Sequence, residues 1–278
     1  MDKLFFIFGY LKSGTTWLQL MLDGHPGISC RGEGHFFDML YPHLKEKFNL
    51  YNEMQDWLST STFKDLKPFP KIEDEDSHEA MKILITRLMK KTADGENVLF
   101  YGEKSPDNIR HLDEINEFFP ECKFIHIIRD GRDAVVSNWL HHLRIKPDEL
   151  EKYGSFENWV IEGAKQWHGE MMTAVSFKRK HPDRVYEVHY EHLLEEPHKE
   201  LRGLLNFLGA DTSDDVLDNA VKNSSFETLT RGRKPGEEDK KSFFRKGVAG
   251  DWMEYFDMDT LEAFEEIAKE SLSIYGYK

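Results

Sequence analysis

Cysteine is scarce in this chain: Cys30 and Cys122 are its two thiols among 278 residues. They form no C-x-x-C pair and no zinc-ligand spacing, so neither a disulfide framework nor a zinc site is expected. Two buried free thiols in a reducing compartment are the expectation instead. Positive charge is also in deficit. Lys and Arg total 37 against 51 Asp and Glu, a net charge of −14. General nucleic-acid binding draws on clustered positive charge, and that class is set aside. Any anionic ligand must then be held by a local basic pocket. Long apolar runs are missing too. The opening MDKLFFIFGY is too short for a signal peptide, and no stretch of about 18 apolar residues suggests a membrane span. A cytoplasmic protein is the expectation.

What is present suits a large core. Apolar residues make up 39% of the chain and aromatics 13%. No internal repeat or long low-complexity segment interrupts it, and a single domain over residues 1–278 is expected. Short apolar runs at 4–8, 28–30, 98–101, 123–128 and 184–189 read as strands. Runs that are apolar throughout suit a parallel sheet covered on both faces. Helical patterns lie between them, with Ala80, Ile83, Leu84 and Leu88 as one apolar stripe and Leu261, Phe264, Ile267, Ala268 and Leu272 as another. The alternation predicts an α/β fold: a central parallel sheet of about five strands flanked by helices. Residues 59–77 and 230–242 read as long loops, each either a solvated connection or a lid.

The first strand runs directly into Gly9-Tyr10-Leu11-Lys12-Ser13-Gly14-Thr15-Thr16-Trp17, with a helix expected from Thr15. Strand, glycine loop and helix make a phosphate cradle, in which backbone N–H groups and the helix N-terminus face an anion. The spacing matches G-x-x-x-x-G, but a nucleotide triphosphatase would carry lysine at the position of Thr15. Here the lysine, Lys12, sits three positions earlier, inside the loop. The string YLKSGTTW resembles the 5'-phosphosulfate loop of the sulfotransferase family that uses 3'-phosphoadenosine 5'-phosphosulfate (PAPS), with Leu11 where that family often has proline. The resemblance implies that Lys12 stabilises charge on the leaving phosphate. It also implies that Ser13, Gly14, Thr15 and Thr16 hold the 5'-phosphate and that Trp17 packs on adenine.

A second run, FIHIIRDGRDAVVSNW, resembles the family's 3'-phosphate motif, with Arg129 at a strand end and Ser137 on the following helix. Ligands gather at such strand ends in α/β folds. Near the C-terminus, FFRKGVAGDW resembles the third hallmark, R-K-G-x-x-G-D-W. It implies that Arg245, Lys246 and Gly247 close over the same phosphate, a task suited to a guanidinium. Phe243, Tyr190, and Ser225-Phe226 within a T-S-F-like step resemble the family's adenine-pocket residues. The motifs run in family order from residue 9 to residue 252. They imply PAPS as co-substrate, adenosine 3',5'-bisphosphate (PAP) as product, and no metal.

The acceptor side departs from the small-molecule enzymes of that family. Where they carry a histidine after a central strand, this chain has Tyr101-Gly102-Glu103-Lys104-Ser105-Pro106. Gly32-Glu33-Gly34-His35-Phe36-Phe37-Asp38 is similar instead to the E-x-H-F-F-D segment of heparan-type carbohydrate sulfotransferases. That resemblance implies Glu33 as base and Lys104 as charge stabiliser and acceptor contact. His35 is a supporting acceptor contact or alternative base, and Glu103 a salt-bridge partner for Lys104. Burial would raise the pKa of Glu33 and suit it to the task. Met21 to Pro26 matches the M-L-D-x-H-P of tyrosylprotein sulfotransferases, a segment structural in character. The expected acceptor is a neutral or weakly charged hydroxylated compound, small or carrier-bound; the oligomeric state is left open. A phosphoryl transferase and a non-catalytic nucleotide-binding module are the rival readings.

Overall fold

The computed structural model describes residues 3–64, 66, 67, 69–93 and 97–278. Five strands form one parallel sheet: β1 (Lys3–Phe8), β2 (Ile28–Gly32), β3 (Phe100–Lys104), β4 (Lys123–Ile128) and β5 (Val185–His189), in the order β2-β3-β1-β4-β5. The expected α/β architecture is therefore what the chain adopts. β3 begins two residues later than its apolar run suggested and continues through Lys104, because Gly102 and Glu103 pair with β1 despite breaking the apolar pattern. Arg184 lies in a short 3-10 turn (Pro182–Arg184) just before β5.

Strand side chains alternate between faces, and the sheet sorts its apolar residues accordingly. Phe6 and Phe8 of β1 and Phe124 and Ile128 of β4 join one core. Phe5 and Ile7 of β1 and Ile125 and Ile127 of β4 join the other. The first core is closed by α3 (Asp74–Lys90), α5 (Gly131–Ile145), α6 (Phe156–Lys180) and α11 (Met258–Tyr275), numbered in chain order with α1 (Thr15–Asp23), α2 (Tyr41–Trp57), α4 (Leu112–Phe118), α7 (Tyr190–Glu195), α8 (Pro197–Leu208), α9 (Asp214–Asn223) and α10 (Phe226–Leu229). The second is closed by α1, α8 and α9. Cys30 and Cys122 are both buried as free thiols.

The C-terminal stripe behaves as its spacing predicts, with Phe264, Ala268 and Leu272 buried. The stripe on α3 does not. That helix buries Ser77, Met81, Ile85 and Met89, one residue per turn, and leaves Ile83 52% exposed. The sheet contacts α3 along an i, i+4 row, and both i, i+4 rows of this sequence carry apolar residues, so periodicity alone could not choose between them. In residues 59–77, both ends are helical. The intervening chain is pinned where the Asn52 amide donates to the Ile72 carbonyl and accepts from its N–H, each at 2.8 Å. Two of its residues, Asp65 and Pro68, lie outside the described residues. Among the described residues, no helix is long and apolar enough to cross a membrane.

All five strands point their C-terminal ends to one edge, and each hands the chain to a segment singled out above. β1 leads into the glycine loop, β2 into Glu33, β4 into Arg129 and β5 into Tyr190, while β3 ends on Lys104. This is where a parallel α/β sheet binds ligands, since the helices that follow begin there.

His126, in the middle of β4, gives the fold a pH dependence. Its ring is fully buried, stacked on Phe8 at 4.7 Å and 3.7 Å from Glu187 on β5. Burial pushes its pKa below the ordinary value, against the pull of Glu187. Burial also drives His189 and His141 down to about 4. A folded-state pKa below the unfolded one means that the unfolded chain takes up protons first, so stability falls as pH drops below about 6.5. Urea midpoints measured from pH 7.5 to pH 5 should decline, and His126→Gln should flatten part of that decline; an unchanged slope in this variant would refute the assignment.

Candidate active site

The glycine loop is shaped by close contacts. A side chain at Gly9 would come within 2.4 Å of the Ile127 carbonyl, and one at Gly14 within 2.6 Å of the Tyr190 ring. Gly14 has φ +96° and Lys12 has φ +67°, a conformation costly for lysine. α1 starts at Thr15 as expected, with no side-chain cap and no acidic residue in its first turn. Its leading N–H groups are therefore not neutralised by the chain. Ser13 Oγ is buried without a hydrogen-bond partner. Lys12 Nζ lies 4.6 Å from the centre of the Phe243 ring. Burial, followed by the charges of Arg144 and Arg129, lowers the Lys12 pKa to about 8.

Arg129 joins this loop to the C-terminal motif. Only 7% exposed, it donates to the Lys12 and Val248 carbonyls, both at 3.1 Å, and stacks 4.4 Å from the centre of the Tyr190 ring. Its Nε is buried with no partner. The C-terminal motif is brought to it by Asp133, on the first turn of α5, which accepts from the N–H groups of Gly250 at 2.7 Å and Trp252 at 2.9 Å. Buried Asp251 sits between Arg245 and Lys246, 2.5 Å from the latter. Burial works to raise the Asp251 pKa, but the hydrogen bonds from Lys246 and Arg245 outweigh it and hold it low. Gly247 has φ +66°, and a side chain there would strike the Phe226 ring at 2.4 Å.

These groups surround one cavity of about 580 Å³. Trp17, Tyr190 and Phe226 line one part of it, with the Trp17 indole fixed by a 2.8 Å hydrogen bond to the Ser224 carbonyl and set edge-on to Tyr190. Ser137 lines it from α5, as its separation from Arg129 suggested. Thr15, Thr16, Ser225, Phe243, Arg245, Lys246 and Gly247 line it as well. The Ser225 hydroxyl is partly committed, since it caps α10 by accepting from Thr228 N–H.

The acceptor side differs from expectation in its details. Glu33 lines the cavity but is not buried; its side chain is 40% exposed. The burial invoked for raising its pKa is therefore absent. What it has instead is Lys104, 3% exposed, whose ammonium donates to Glu33 Oε1 at 2.5 Å. The buried carboxylate here is Glu103, and it does not pair with Lys104. Neighbouring strand residues face opposite ways, so Glu103 turns to Gly34 N–H at 2.8 Å, Ser105 Oγ at 2.6 Å and Asn108 Nδ2 at 2.7 Å. Burial pushes its carboxyl pKa up against these bonds. Neither His35 nor Lys104 lines the cavity directly. His35 Nε2 stands 3.7 Å from the other Glu33 oxygen, and its Nδ1 is 2.7 Å from Asp38. The segment at Met21 to Pro26 is structural: Asp23 accepts from Cys30 N–H, and buried His25 binds Gly27 N–H and the Asp211 carbonyl.

The sequence reading missed Asp133, Asp251 and the paired His141 and His142, which line the cavity one turn beyond Ser137. Asp133 was visible only as an acid in a helix first turn. The i+4 step from Ser137 to His141 was the one available signal for the histidine.

Comparison with known proteins agrees with this geometry. The sequence profile described as the sulfotransferase family matches residues 5–214. A candidate protein-tyrosine sulfotransferase of Caenorhabditis briggsae is 26% identical over 276 residues, covering 99% of this chain and 89% of that protein. Protein-tyrosine sulfotransferase 1 of Danio rerio is 29% identical over 77% of this chain, which spans 55% of that longer protein. In fold, the chain is similar to mouse sulfotransferase SULT7A1, solved with PAP, at TM-score 0.61 and 20% identity over 98% of this chain and 84% of that one. The family to which the motifs pointed is thus borne out, and this chain belongs to the sulfotransferase family.

Proposed function

We propose that the protein transfers a sulfuryl group from PAPS to an acceptor hydroxyl, releasing PAP. The observation that carries this reading is the convergence of two donor-rich elements, the glycine loop (Lys12, Gly14, Thr15 and Thr16) and the group of Arg129, Ser137 and Arg245, on one cavity with an aromatic wall. The residues suit such a ligand: Ser13 Oγ and Arg129 Nε are buried donors without partners, and the N-terminus of α1 is uncapped. Buried polar groups are rarely left unpaired unless a ligand or water completes them. Bound PAPS would supply an activated sulfuryl group joined to a phosphate leaving group. Ser13 and the first N–H groups of α1 would hold the 5'-phosphate, Arg129, Ser137 and Arg245 the 3'-phosphate, and Trp17 and Phe226 the adenine. Lys12 places a cation where charge develops, and such fixed electrostatics is usually a large catalytic term. Glu33 is the proton acceptor for the incoming hydroxyl, and Lys104 fixes its carboxylate. His35, oriented by Asp38, supports Glu33 from its second oxygen.

The acceptor is proposed to be a neutral or weakly charged hydroxylated compound, small or carrier-bound. The lining of the cavity that Glu33 shares includes the uncharged Pro106, Ile145 and Phe244, with Lys12 and Lys146 as cations. His141 lines it too, and burial holds its ring neutral. The net charge of −14 opposes a polyanionic acceptor.

Thermal shifts with PAP and with adenosine 5'-monophosphate test the two-phosphate site. PAP at about 100 times its dissociation constant should stabilise the fold by roughly 2.7 kcal/mol, and the monophosphate should do much less; equal shifts would remove the 3'-phosphate assignment.

Lys12→Ala should cost about 100-fold or more in kcat with a small change in PAP affinity, while Arg245→Ala should do the reverse. With an alcohol that does not itself ionise in the range, kcat/KM should fall as pH rises through about 8, where free Lys12 loses its proton. Matching ratios of rate loss to affinity loss in the two variants would overturn this division of roles.

Glu33→Gln keeps an oxygen for Lys104 but removes the proton acceptor. It should lower kcat by about 10² to 10⁴ with PAP binding intact, whereas His35→Ala should retain a measurable fraction of activity. Wild-type turnover in Glu33→Gln would move the base elsewhere.

A further inference from the structure

Residues 230–242 carry five cations and three acids among thirteen positions and read as a loop. They are folded around one side chain. Arg233 Nη1 donates to the carbonyls of Glu237 at 3.0 Å and Arg245 at 2.8 Å. Its Nη2 donates to Ser242 Oγ at 2.9 Å and to the Phe244 carbonyl at 2.5 Å. The guanidinium carbon stands 5.2 Å from the centre of the Phe226 ring. Two backbone bonds reinforce the stitch: Gly236 N–H to the Lys246 carbonyl at 2.8 Å and Asp239 N–H to the Arg245 carbonyl at 3.0 Å. Thr230 Oγ1 adds a bond to the Phe226 carbonyl at 2.6 Å.

The hydrogen-bond partners of Arg233 are all neutral oxygens, so its contribution is geometric. A planar guanidinium offers five donors in a rigid fork, and no other side chain spans four acceptors in this way. Two of the three carbonyls it holds, those of Phe244 and Arg245, lie on either side of the Arg245 α-carbon. They set the direction in which the Arg245 side chain leaves the backbone, toward Asp251 and Glu238. The ring it covers, Phe226, is the same ring that packs against Gly247. Arg245, Gly247 and Phe226 line the cavity; Arg233 does not.

We propose that Arg233 is a positioning residue of the nucleotide site, which holds the Arg245 and Phe226 contacts in place by tying residues 230–242 to residues 242–246. The inference rests on the reading of this cavity as a PAP site. It assigns the loop a role in 3'-phosphate recognition without contact between Arg233 and ligand. Misplacing a binding group by about 1 Å can cost two orders of magnitude, and the coupling must run both ways, from Arg233 to ligand and from ligand to the loop.

Isothermal titration of PAP and adenosine 5'-monophosphate into wild type, Arg233→Ala and Arg233→Lys is the test, together with amide hydrogen exchange at Gly236 and Asp239. In Arg233→Ala, PAP should bind about tenfold or more weakly, while the monophosphate, which has no 3'-phosphate for Arg245, should lose less. Arg233→Lys keeps the charge but not the fork and should not restore PAP affinity. In wild type, PAP should slow exchange at both amides more than the monophosphate does, a readout that needs no variant to fold. Wild-type PAP affinity in Arg233→Ala, full recovery in Arg233→Lys, or exchange indifferent to PAP would each overturn the role of Arg233. A wild-type protein that binds neither nucleotide would instead overturn the proposed function itself.

Discussion

An acidic protein that gathers cations around a cavity has to hold each of them in place before any ligand arrives. Here the chain's own oxygens do so. Arg129 is held by the Lys12 and Val248 carbonyls, Arg245 and Lys246 by Asp251, and Lys104 by Glu33. Taking a charge out of water is costly unless it is paired and hydrogen-bonded. Each of these pairings offsets part of that cost and, by doing so, dictates where the backbone must run. The loop after β1 and the segment at 245–252 are joined through Arg129, and Asp133 secures the second of them to α5. Much of the architecture of the ligand edge follows from this need to satisfy buried cations.

The same constraint explains which donors remain open. Ser13 Oγ and Arg129 Nε are buried yet unpaired, while both terminal nitrogens of Arg129 are engaged by carbonyls. Lys12 has no carboxylate partner of its own and rests on the Phe243 ring. Its lowered pKa reflects that isolation, with burial as the main cause and two arginines adding to it. An anion placed there would relieve both the desolvation and the repulsion, which is why the lysine suits developing negative charge better than a solvated one would.

On the acceptor side, two carboxylates divide their work by environment. Glu103 is buried and fully engaged by Gly34, Ser105 and Asn108, so it secures the turn that carries Glu33. Glu33, one strand away on β2's C-terminal extension, is open to solvent and faces the cavity. A carboxylate committed to three donors is a poor proton acceptor, whereas Glu33 is hydrogen-bonded at one oxygen and has only His35, 3.7 Å away, at the other. The proposed base is therefore the exposed glutamate, held by a buried lysine, and the route to that role is pairing rather than the desolvation that burial would have supplied.

The alternation of strands and helices, the glycine loop and the two segments proposed to hold the phosphates were legible in the sequence. Each rests on contiguous residues whose spacing constrains the local chain: G-x-x-x-x-G sets a loop, and the eight-residue step from Arg129 to Ser137 runs from a strand end to the second turn of a helix. What the sequence could not decide was contact between distant segments. The buried face of α3 depended on which apolar row met the sheet. The partner of Glu103 depended on strand alternation and on Gly34, and Glu33's exposure on how β2 ends. Arg233, one of several cations in a charged loop, became distinct only when the fold placed four neutral oxygens within its span. Local spacing determines what a segment can form, but which side chains become buried, and with whom, is a property of the packed chain, because pairing and desolvation act through space rather than along the backbone.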